Sequence, residues 1–395
     1  MLNVLALDIE GGHGGSSKSL YTSILHLDRT RFSVEVWCKR DGIQDRYAEI
    51  GVPCHVKPNM PKVSALPKVS RNIFVHLRFL FEFIRAHRFR TELLLEINSR
   101  FDVVHFNHEA LAWLGLWLRS KTSAGFVFHN RTMLRDTLFA RAQIFAMRSA
   151  SDDLIYITEN EQKNVQLLGI KDRGNVIYNP VKSGGESPKL YQWPDDAKQF
   201  RVCCLSNYSW NRGGDRLIEV ATVLKSWNQT DVQFVMIGDQ MLTGSLPGEL
   251  GQIAECGGDL SNYAAHRDVA EMFLFLGYVS NPESILISCS VVTKLSRENN
   301  PWGRDILEGM LMAKPIIGIG TYDGFVKDGA TGYLLHDYDA VRIAEKIVYL
   351  KNNPGKAIQM GKSARKLVED KCNGFERARD LSKVWCNVNS LRNCR

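Results

Sequence analysis

The amino-acid sequence predicts an α/β protein in which two parallel β-sheets form two domains joined by a linker. Strand-like apolar runs alternate with helical patterns along the chain, which is typical of parallel sheets covered by helices on both faces. The alternation lapses once, over residues 183–200, where glycine, serine, proline and aspartate predominate. In addition, a chain of 395 residues exceeds what one core usually holds.

The first half begins with the apolar run Leu2–Leu7, followed by the glycine-rich loop Gly11–Ser17 and a helical pattern. A long helix is predicted over Phe74–Arg90. The other predicted strands of this half are Phe32–Cys38, Val103–Phe106, Phe126–His129, Leu154–Thr158 and Val176–Tyr178. Because the carboxyl ends of parallel strands meet at one edge of a sheet, we expect ligands at that edge.

The second half repeats the alternation. We assign residues 1–182 to the first domain, 183–200 to the linker, 201–370 to the second domain and 371–395 to a C-terminal helix. The predicted strands are Val202–Leu205, Gln233–Ile237, Phe273–Leu276, Ile285–Ser288, Val291–Leu295, Ile316–Ile319 and Gly332–Leu335. The predicted helices are Asp215–Lys225, the later part of Lys294–Ala313, Ala340–Asn352 and Lys356–Val388.

Composition places the chain among globular proteins, with 44% hydrophobic and 24% charged residues. The N-terminal residues have the pattern of a first strand and not that of a signal peptide. The apolar run Ala110–Leu118 has about half the length that a membrane-spanning helix needs. The nine cysteines show no zinc or redox spacing, which indicates reduced thiols. We therefore expect a cytoplasmic protein.

The net charge of +7 is concentrated in one segment. Between residues 62 and 90, a single acid, Glu82, faces seven basic residues: Lys62, Lys68, Arg71, Arg78, Arg85, Arg88 and Arg90. Such a segment suits an anionic partner. Its helical part, Arg71–Arg90, allows two interpretations. The apolar face packs on the sheet with its arginines reaching solvent, or it docks on anionic lipid as an interfacial helix.

The stretch Lys294–Pro315 combines a polar, turn-like start with a helix that ends before Pro315. A loop that opens a helix presents free backbone N–H groups and a positive dipole end, which favour phosphate. Glu308 lies one turn into this helix, within reach of a sugar attached to that phosphate. The alternative is an ordinary strand–helix connection with a solvated glutamate.

Three further features allow both a functional and a structural interpretation. Gly11–Ser17 lacks the spacing of dinucleotide and Walker loops, so it could be a tight turn without a ligand. Arg212 could grip a diphosphate or be an exposed loop arginine. His129 ends an apolar strand and could contact substrate or be structural. The pair Asp337 and Asp339 precedes a helix, so we predict capping and no metal site.

Taken in order, the motifs of the chain resemble those of GT-B glycosyltransferases, specifically the large retaining group known as family 4. The motifs are Gly14-Gly15, Asp102–His105, Val176–Pro180, Arg212-Gly213, Val235–Asp239, Leu276–Val279, Lys294–Pro315 and Asp328–Leu334. The resemblance covers nearly the whole chain. It implies two Rossmann-like αβα domains facing across a cleft, with the C-terminal helix crossing back to the first.

The resemblance further implies transfer of a sugar from a nucleotide-diphosphate sugar to a saccharide or lipid-linked acceptor, without metal or cofactor. Such a reaction would serve cell-surface polysaccharide or glycolipid biosynthesis, and an anionic membrane would be a peripheral partner. The catalytic residues would be His129, Glu298 and Arg212. The donor-binding residues would be Gly14, Gly15, Ser206, Asn207, Arg212, Arg297, Asn300, Gly303, Arg304 and Glu308.

The chain departs from the family pattern at two points. The position eight residues before Glu308, where the family has a glutamate, is Asn300, and Glu298 lies ten before. Either Asn300 holds the sugar hydroxyls or Glu298 reaches in. Ser206 and Asn207 stand where the family has an arginine, so Arg297 or Lys294 would supply that charge.

Three other functions compete with transfer. A non-catalytic GT-B-like binding or partner subunit would fit the changes at Asn300 and Asn207. A dinucleotide oxidoreductase would require a ribose-binding acid after the second strand, and none is convincing. Nucleic-acid binding is the weakest, because no recognised module surrounds the basic segment.

Overall fold

The computed structural model describes residues 1–11, 14–63, 73–169, 174–182, 188–194, 200–243 and 245–393, with backbone only for 73–76. The chain divides into two compact units. The first comprises Met1–Ser183 with Cys372–Arg395, and the second comprises Gly184–Lys371. The predicted linker lies largely outside the described residues, since 183–187 and 195–199 are not among them.

The first unit contains a seven-stranded sheet in which every neighbouring pair is parallel. Its strand order is β3-β2-β1-β4-β5-β6-β7. The strands are β1 Leu2–Asp8, β2 Phe32–Cys38, β3 Cys54–Val56, β4 Val103–Phe106, β5 Gly125–Asn130, β6 Asp153–Tyr156 and β7 Asn175–Val176. The central strands are buried on both faces, as expected for a parallel sheet under helices.

Helices cover both faces of this sheet. They are α1 Gly15–Leu25, α2 Gln44–Glu49, α3 Ile73–Arg85, α4 His87–Arg100, α5 Ala112–Leu118, α6 Leu138–Ala150 and α7 Glu159–Leu167. One apolar cluster joins α4, α5 and α6 to the sheet, and a second joins α1 and the C-terminal helix to the opposite face.

The second unit contains a six-stranded parallel sheet with the order β10-β9-β8-β11-β12-β13. Its strands are β8 Phe200–Leu205, β9 Val232–Ile237, β10 Phe273–Gly277, β11 Val291–Lys294, β12 Ile316–Ile319 and β13 Gly332–Leu335. Its helices are α8 Arg216–Ser226, α9 Gly248–Glu255, α10 Leu260–His266, α11 Glu283–Ser288, α12 Arg304–Leu311, α13 Ala340–Asn352 and α14 Pro354–Cys372. The last helix of the chain, α15 Gly374–Asn393, belongs to the first unit.

The two parallel sheets confirm the predicted fold class, but one predicted strand was wrong. Ile285–Ser288 lies in helix α11, and Ile285 and Leu286 are buried there. A short apolar run is compatible with a buried strand or a buried helix. Here the sheet topology decides, because strands that run parallel in one sheet must be joined by a crossover, and α11 lies in the crossover that leads from β10, at the edge of the sheet, to β11 beside β8.

Two predicted helices are each interrupted. The helix predicted over Phe74–Arg90 is divided at Ala86, where α3 ends and α4 begins. The helix predicted over Lys356–Val388 is divided at Asn373, between α14 and α15. The Asn373 Oδ1 atom accepts from the Phe375 N–H (3.0 Å) and the Glu376 N–H (3.2 Å), which caps α15.

The predicted capping role of Asp339 is confirmed. Its Oδ1 atom accepts hydrogen bonds from the N–H groups of Val341 (2.9 Å) and Arg342 (3.1 Å) at the start of α13. Within the described ranges, no helix combines the length and apolar character that crossing a bilayer requires.

Helix α15 is held to the first sheet mainly by Trp385. This side chain is fully buried, and its Nε1–H donates to the His105 Nδ1 atom (3.3 Å). The fit is tight, since a Cβ atom at Gly125 would lie 2.3 Å from Val388.

We predict that Trp385→Ala lowers the free energy of unfolding by about 3–5 kcal/mol, because it opens a large cavity in a closed core. Leu391→Ala, in the same helix but with an exposed side chain, should change it by less than about 0.5 kcal/mol. Urea unfolding monitored by circular dichroism measures both. Equal effects of the two substitutions would contradict the packing role of Trp385.

Candidate active site

In the second unit, the predicted donor-binding residues lie after β8 and β11, at the carboxyl edge of the sheet, in the two loops there and in helix α12. Two hydrogen bonds, one between backbone groups and one to a side chain, anchor the first loop to the end of β9 and the residues that follow it. The Ser206 N–H donates to the Ile237 carbonyl (2.8 Å), and the Asp239 N–H donates to the Asn207 Oδ1 atom (2.9 Å). Ser206 and Asn207 therefore shape the loop, and the Asn207 side chain faces the backbone after β9.

Arg212 ends the 3-10 turn Trp210–Arg212 with an exposed side chain. Its Nη1 atom donates to the Ser206 hydroxyl (3.0 Å), a neutral partner. The Arg212 guanidinium, Lys294 and Asp305 all act electrostatically on the buried Cys204 thiol, whose pKa burial raises to about 12. Arg212 thus lies at the same edge as the loop after β11, with its charge not neutralised by an acid among the described residues.

Arg297 contacts an aromatic ring and a buried acid. Its guanidinium lies 3.3 Å from the centre of the Trp210 ring and donates to the Trp210 carbonyl (2.7 Å) and the Asp215 Oδ1 atom (2.9 Å). Asp215 is fully buried. The guanidinium is therefore already engaged, because a buried carboxylate needs it as a partner, and the contact of Arg297 with a donor stays a prediction. Arg297 instead fastens the loop after β8 to the loop after β11.

Lys294 is also paired. Its Nζ atom lies 2.9 Å from the Asp305 Oδ2 atom, across the start of α12. Gly303 permits this approach, since a Cβ atom there would lie 2.6 Å from both Lys294 Nζ and Asp305 Oδ1. Gly303 is the N-cap of α12 and has no side chain to cap the helix, whereas within the first turn the Asp305 Oδ1 atom accepts a hydrogen bond from the Ile306 N–H (3.0 Å).

Glu308 and Arg304 form an ion pair within α12, with the Arg304 Nε atom 3.0 Å from the Glu308 Oε1 atom. Both side chains are largely buried.

Glu298 and Asn300, the two candidates for the role of the family's first motif glutamate, lie in different environments. Glu298 is exposed and accepts a hydrogen bond from the Asn211 Nδ2 atom (2.9 Å). The Asn300 Oδ1 atom is buried and has no hydrogen-bond partner among the described residues.

In the first unit, Gly14 and Ser17 of the glycine-rich loop lie against two acids at the end of β1, Glu10 and Asp8. Asp8 is buried, accepts hydrogen bonds from the Ser17 hydroxyl and the Asn107 Nδ2 atom, and burial raises its pKa. Only glycine fits at position 14 without a shift of the Glu10 side chain, because a Cβ atom there would lie 1.2 Å from the Glu10 Oε2 atom. Gly15 begins α1, and no side chain caps that helix.

Arg131 is a central residue that the sequence analysis missed. Its guanidinium donates to the side-chain oxygens of Asn107 and Asn179 (2.7 Å to the latter), and its N–H donates to the Glu109 Oε2 atom (3.0 Å). These contacts join the segments that follow β4, β5 and β7. The sequence did contain a signal for it, because Arg131 lies two residues after His129, directly after β5, where residues at the carboxyl edge of the sheet are expected.

His129 is 5% exposed, and neither of its ring nitrogens has a hydrogen-bond partner among the described residues. Burial, followed by the charge of Arg131, holds its pKa well below the usual 6.5. The pKa of the neighbouring His105, whose ring centre is 5.6 Å away, is lowered to about 3 for the same reasons. The lowered pKa favours the neutral form of the His129 imidazole, and its two buried nitrogens are polar groups that a hydrogen-bond partner would stabilise.

Comparison with known families identifies the type of protein. Residues 13–183 match the model of Glycosyltransferase Family 4, and residues 190–367 match that of Glycosyl transferases group 1. The chain belongs to the GT-B glycosyltransferases of the family 4 type. The identification confirms the predicted resemblance.

This family 4-like glycosyltransferase is similar to proteins of known structure. HepE from Anabaena in complex with UDP-glucose matches at 17% identity with a TM-score of 0.75, over 98% of this chain and 100% of that chain. TarM from Staphylococcus aureus, in a structure with UDP, fondaparinux and α-GlcNAc-glycerol, matches at 19% identity with a TM-score of 0.55, over 73% and 55% of the two chains.

A curated relative is the poly(ribitol-phosphate) α-N-acetylglucosaminyltransferase of Staphylococcus aureus (strain COL). It is 24% identical over 267 residues, which are 66% of this chain and 49% of the relative. The chain therefore spans about half the length of that relative.

We predict that Arg297→Met destabilises the second unit of the glycosyltransferase by about 3–5 kcal/mol, because it leaves the buried Asp215 carboxylate unpaired. The double variant Asp215→Asn/Arg297→Met should recover most of that loss. Urea unfolding of both variants measures the coupling. If Arg297→Met leaves the free energy of unfolding unchanged but weakens UDP binding, Arg297 contacts the donor after all.

We also predict a pH dependence of stability from the two buried histidines. In the unfolded chain they bind protons near pH 6.5, whereas in the folded protein they stay neutral to much lower pH. The free energy of unfolding should therefore fall as the pH drops below about 6.5, by up to about 1.4 kcal/mol per pH unit for each histidine.

The substitution His129→Gln removes one of these titrating groups. Below about pH 6.5 it should therefore reduce the slope of the free energy of unfolding against pH by up to about 1.4 kcal/mol per pH unit, the contribution of one proton. His336→Gln, at an exposed position, is the matched control and should leave the slope as it is. The measurement is urea unfolding between pH 5 and pH 8. An unchanged slope in His129→Gln would mean that His129 titrates in the same range in both states.

Proposed function

We propose that the chain is an enzyme, a retaining hexosyltransferase that moves a sugar from a UDP-sugar to a hydroxyl group of a saccharide or lipid-linked acceptor. The observation that carries this proposal is the carboxyl edge of the second sheet. There the exposed Arg212 guanidinium lies in the loop after β8, and the start of α12 and the Glu308 carboxylate within α12 follow the loop after β11. A cation and helix amides suit a diphosphate, and a carboxylate suits ribose hydroxyls.

The choice of UDP draws on the similar proteins. HepE and TarM have structures with UDP, and HepE also has one with UDP-glucose. The relative from Staphylococcus aureus is named for transfer of N-acetylglucosamine with α configuration. These names and the family 4 resemblance support a UDP-hexose donor and a retaining outcome.

In the proposed reaction, the bond between the anomeric carbon and the diphosphate oxygen breaks, and the acceptor hydroxyl forms the new bond to that carbon. The acceptor proton leaves with the UDP product or passes to water. Negative charge develops on the leaving diphosphate, and Arg212 with the α12 amides would stabilise it. This proposal uses no metal or cofactor, because cationic and dipolar groups of the chain take that role.

For the sugar itself, we propose that Asn300 takes the place of the family's first motif glutamate. Its buried side-chain oxygen lacks a partner among the described residues, whereas Glu298 already holds Asn211. Glu298 would then keep the loop after β11 in shape. On the first unit, the unpaired nitrogens of His129 and the uncapped start of α1 at Gly14 and Gly15 would contact the reacting groups.

The acceptor would be part of a cell-surface polysaccharide, polymer or glycolipid. The similar Staphylococcus aureus enzyme is named for a poly(ribitol-phosphate). The net charge of +7 supports an anionic acceptor. We propose that the protein works in the cytoplasm, at the inner face of a membrane whose anionic lipids attract such a charge.

The first experiment is a thermal-shift panel with UDP, GDP, ADP and their sugar conjugates. A ligand at about a hundred times its dissociation constant stabilises a protein by about 2.7 kcal/mol, so UDP should give a clear shift. Arg212→Gln should weaken UDP binding by about tenfold or more, since it removes a charge-assisted hydrogen bond. Arg342→Gln, at an exposed position in α13, is the matched control. No shift with any nucleotide would contradict the proposed donor site.

Turnover separates an enzyme from a non-catalytic binding subunit, the alternative that the change at Asn300 favours. UDP release from UDP-N-acetylglucosamine or UDP-glucose is measured with and without a poly(ribitol-phosphate) acceptor. An enzyme should release UDP in an acceptor-dependent way, and Glu308→Ala should abolish most of that release. UDP binding without release in every combination would favour the binding subunit.

A further inference from the structure

Helix α3 exposes four large apolar side chains on one face. Leu77, Leu80, Phe81 and Ile84 are between 53% and 62% exposed. Their spacing of three, four and seven residues places them along one stripe of the helix. We call this stripe the α3 apolar face. An outward stripe of four large apolar residues is unusual, because surface helices normally turn polar residues to solvent.

The α3 apolar face is not what attaches the helix to the first unit. The attachment is made on the other side of the helix by Phe83, whose ring centre lies 5.8 Å from that of Phe79 in the same helix. Phe83 packs against the core, and the Arg90 guanidinium lies 4.3 Å from the centre of its ring. Since the helix is already anchored, its exposed apolar side is available to a partner.

Basic side chains flank the α3 apolar face. Arg85 and Arg88 are exposed, and Arg78 pairs with the one acid of the helix, Glu82, at 2.8 Å. Two further lysines are close. The charges of both Lys62 and Glu82 act on Lys39, whose pKa burial lowers. The apolar stripe therefore lies within a surface of net positive charge.

We propose that the α3 apolar face docks on an anionic lipid surface, with its apolar side chains in the interface and its arginines at the lipid phosphates. An apolar stripe bordered by cations fits this partner. A second copy of the same chain fits poorly, because docking face to face would bring two positively charged surfaces together.

The position of α3 gives the docking a consequence. Lys39 directly follows β2, so Glu82 and the helix around it lie near the carboxyl edge of the first sheet. The same edge carries Asp8 and His129. Docking would hold this edge at the lipid surface, where a lipid-linked acceptor resides. This consequence rests on the proposed function, whereas lipid binding itself does not.

The test is flotation of the full chain with vesicles of phosphatidylcholine alone or mixed with phosphatidylglycerol. The wild type should float with the mixed vesicles and be released by high salt, which screens the arginines. Leu80→Ser/Phe81→Ser and Arg85→Glu/Arg88→Glu should each weaken binding by about tenfold or more. Leu167→Ser/Ile358→Ser removes two equally exposed apolar side chains elsewhere and should bind like the wild type.

Unchanged unfolding midpoints and circular dichroism spectra show that the variants fold. Absence of flotation with mixed vesicles, or equal flotation of the Leu80→Ser/Phe81→Ser variant and the wild type, would overturn the proposal. So would a wild type that is dimeric by light scattering and becomes monomeric in that variant without lipid binding. Because no nucleotide or acceptor is used, failure here leaves the proposed transferase activity standing.

Discussion

The Arg297–Asp215 pair is the interaction on which the candidate donor edge depends. Asp215 is fully buried directly before α8, and a carboxylate in that position must be paired to be tolerated. By pairing with it, Arg297 also holds the Trp210 carbonyl and brings the loops after β8 and β11 together. Arg212 extends from the first loop, and its guanidinium donates to the Ser206 hydroxyl. One arginine is thus bound to a buried acid, while the other keeps an exposed guanidinium at the same edge of the sheet.

The first unit follows the same principle with different residues. Arg131 holds Asn107, Asn179 and the Glu109 carboxylate, and so joins the segments after three strands. Next to this network, His129 is buried and neutral, because burial and the charge of Arg131 both oppose its protonation. Among the described residues, neither nitrogen of the His129 ring has a hydrogen-bond partner. Our proposal that a substrate group contacts His129 starts from this observation.

Much of the fold could be predicted from the sequence, because strand and helix patterns are local. The alternation of apolar runs predicted both parallel sheets, and Asp339 was correctly assigned to a helix cap. The failures were also local in origin. Ile285–Ser288 is too short for its period to distinguish strand from helix, and the breaks at Ala86 and Asn373 depend on packing that periodicity does not describe.

The candidate site divides in the same way. The sequence by itself determined which loops follow which strands and therefore that Arg212, Gly303 and His129 belong to sheet edges. Only the tertiary structure decided which cation is neutralised by which acid, since Arg297 and Asp215 are 82 positions apart. Likewise, the sequence showed that α3 has an apolar stripe, but the fold decided that this stripe faces outward. The physical reason is that ion pairs and burial depend on which segments the sheet brings together, and the spacing of residues along the chain does not contain that information.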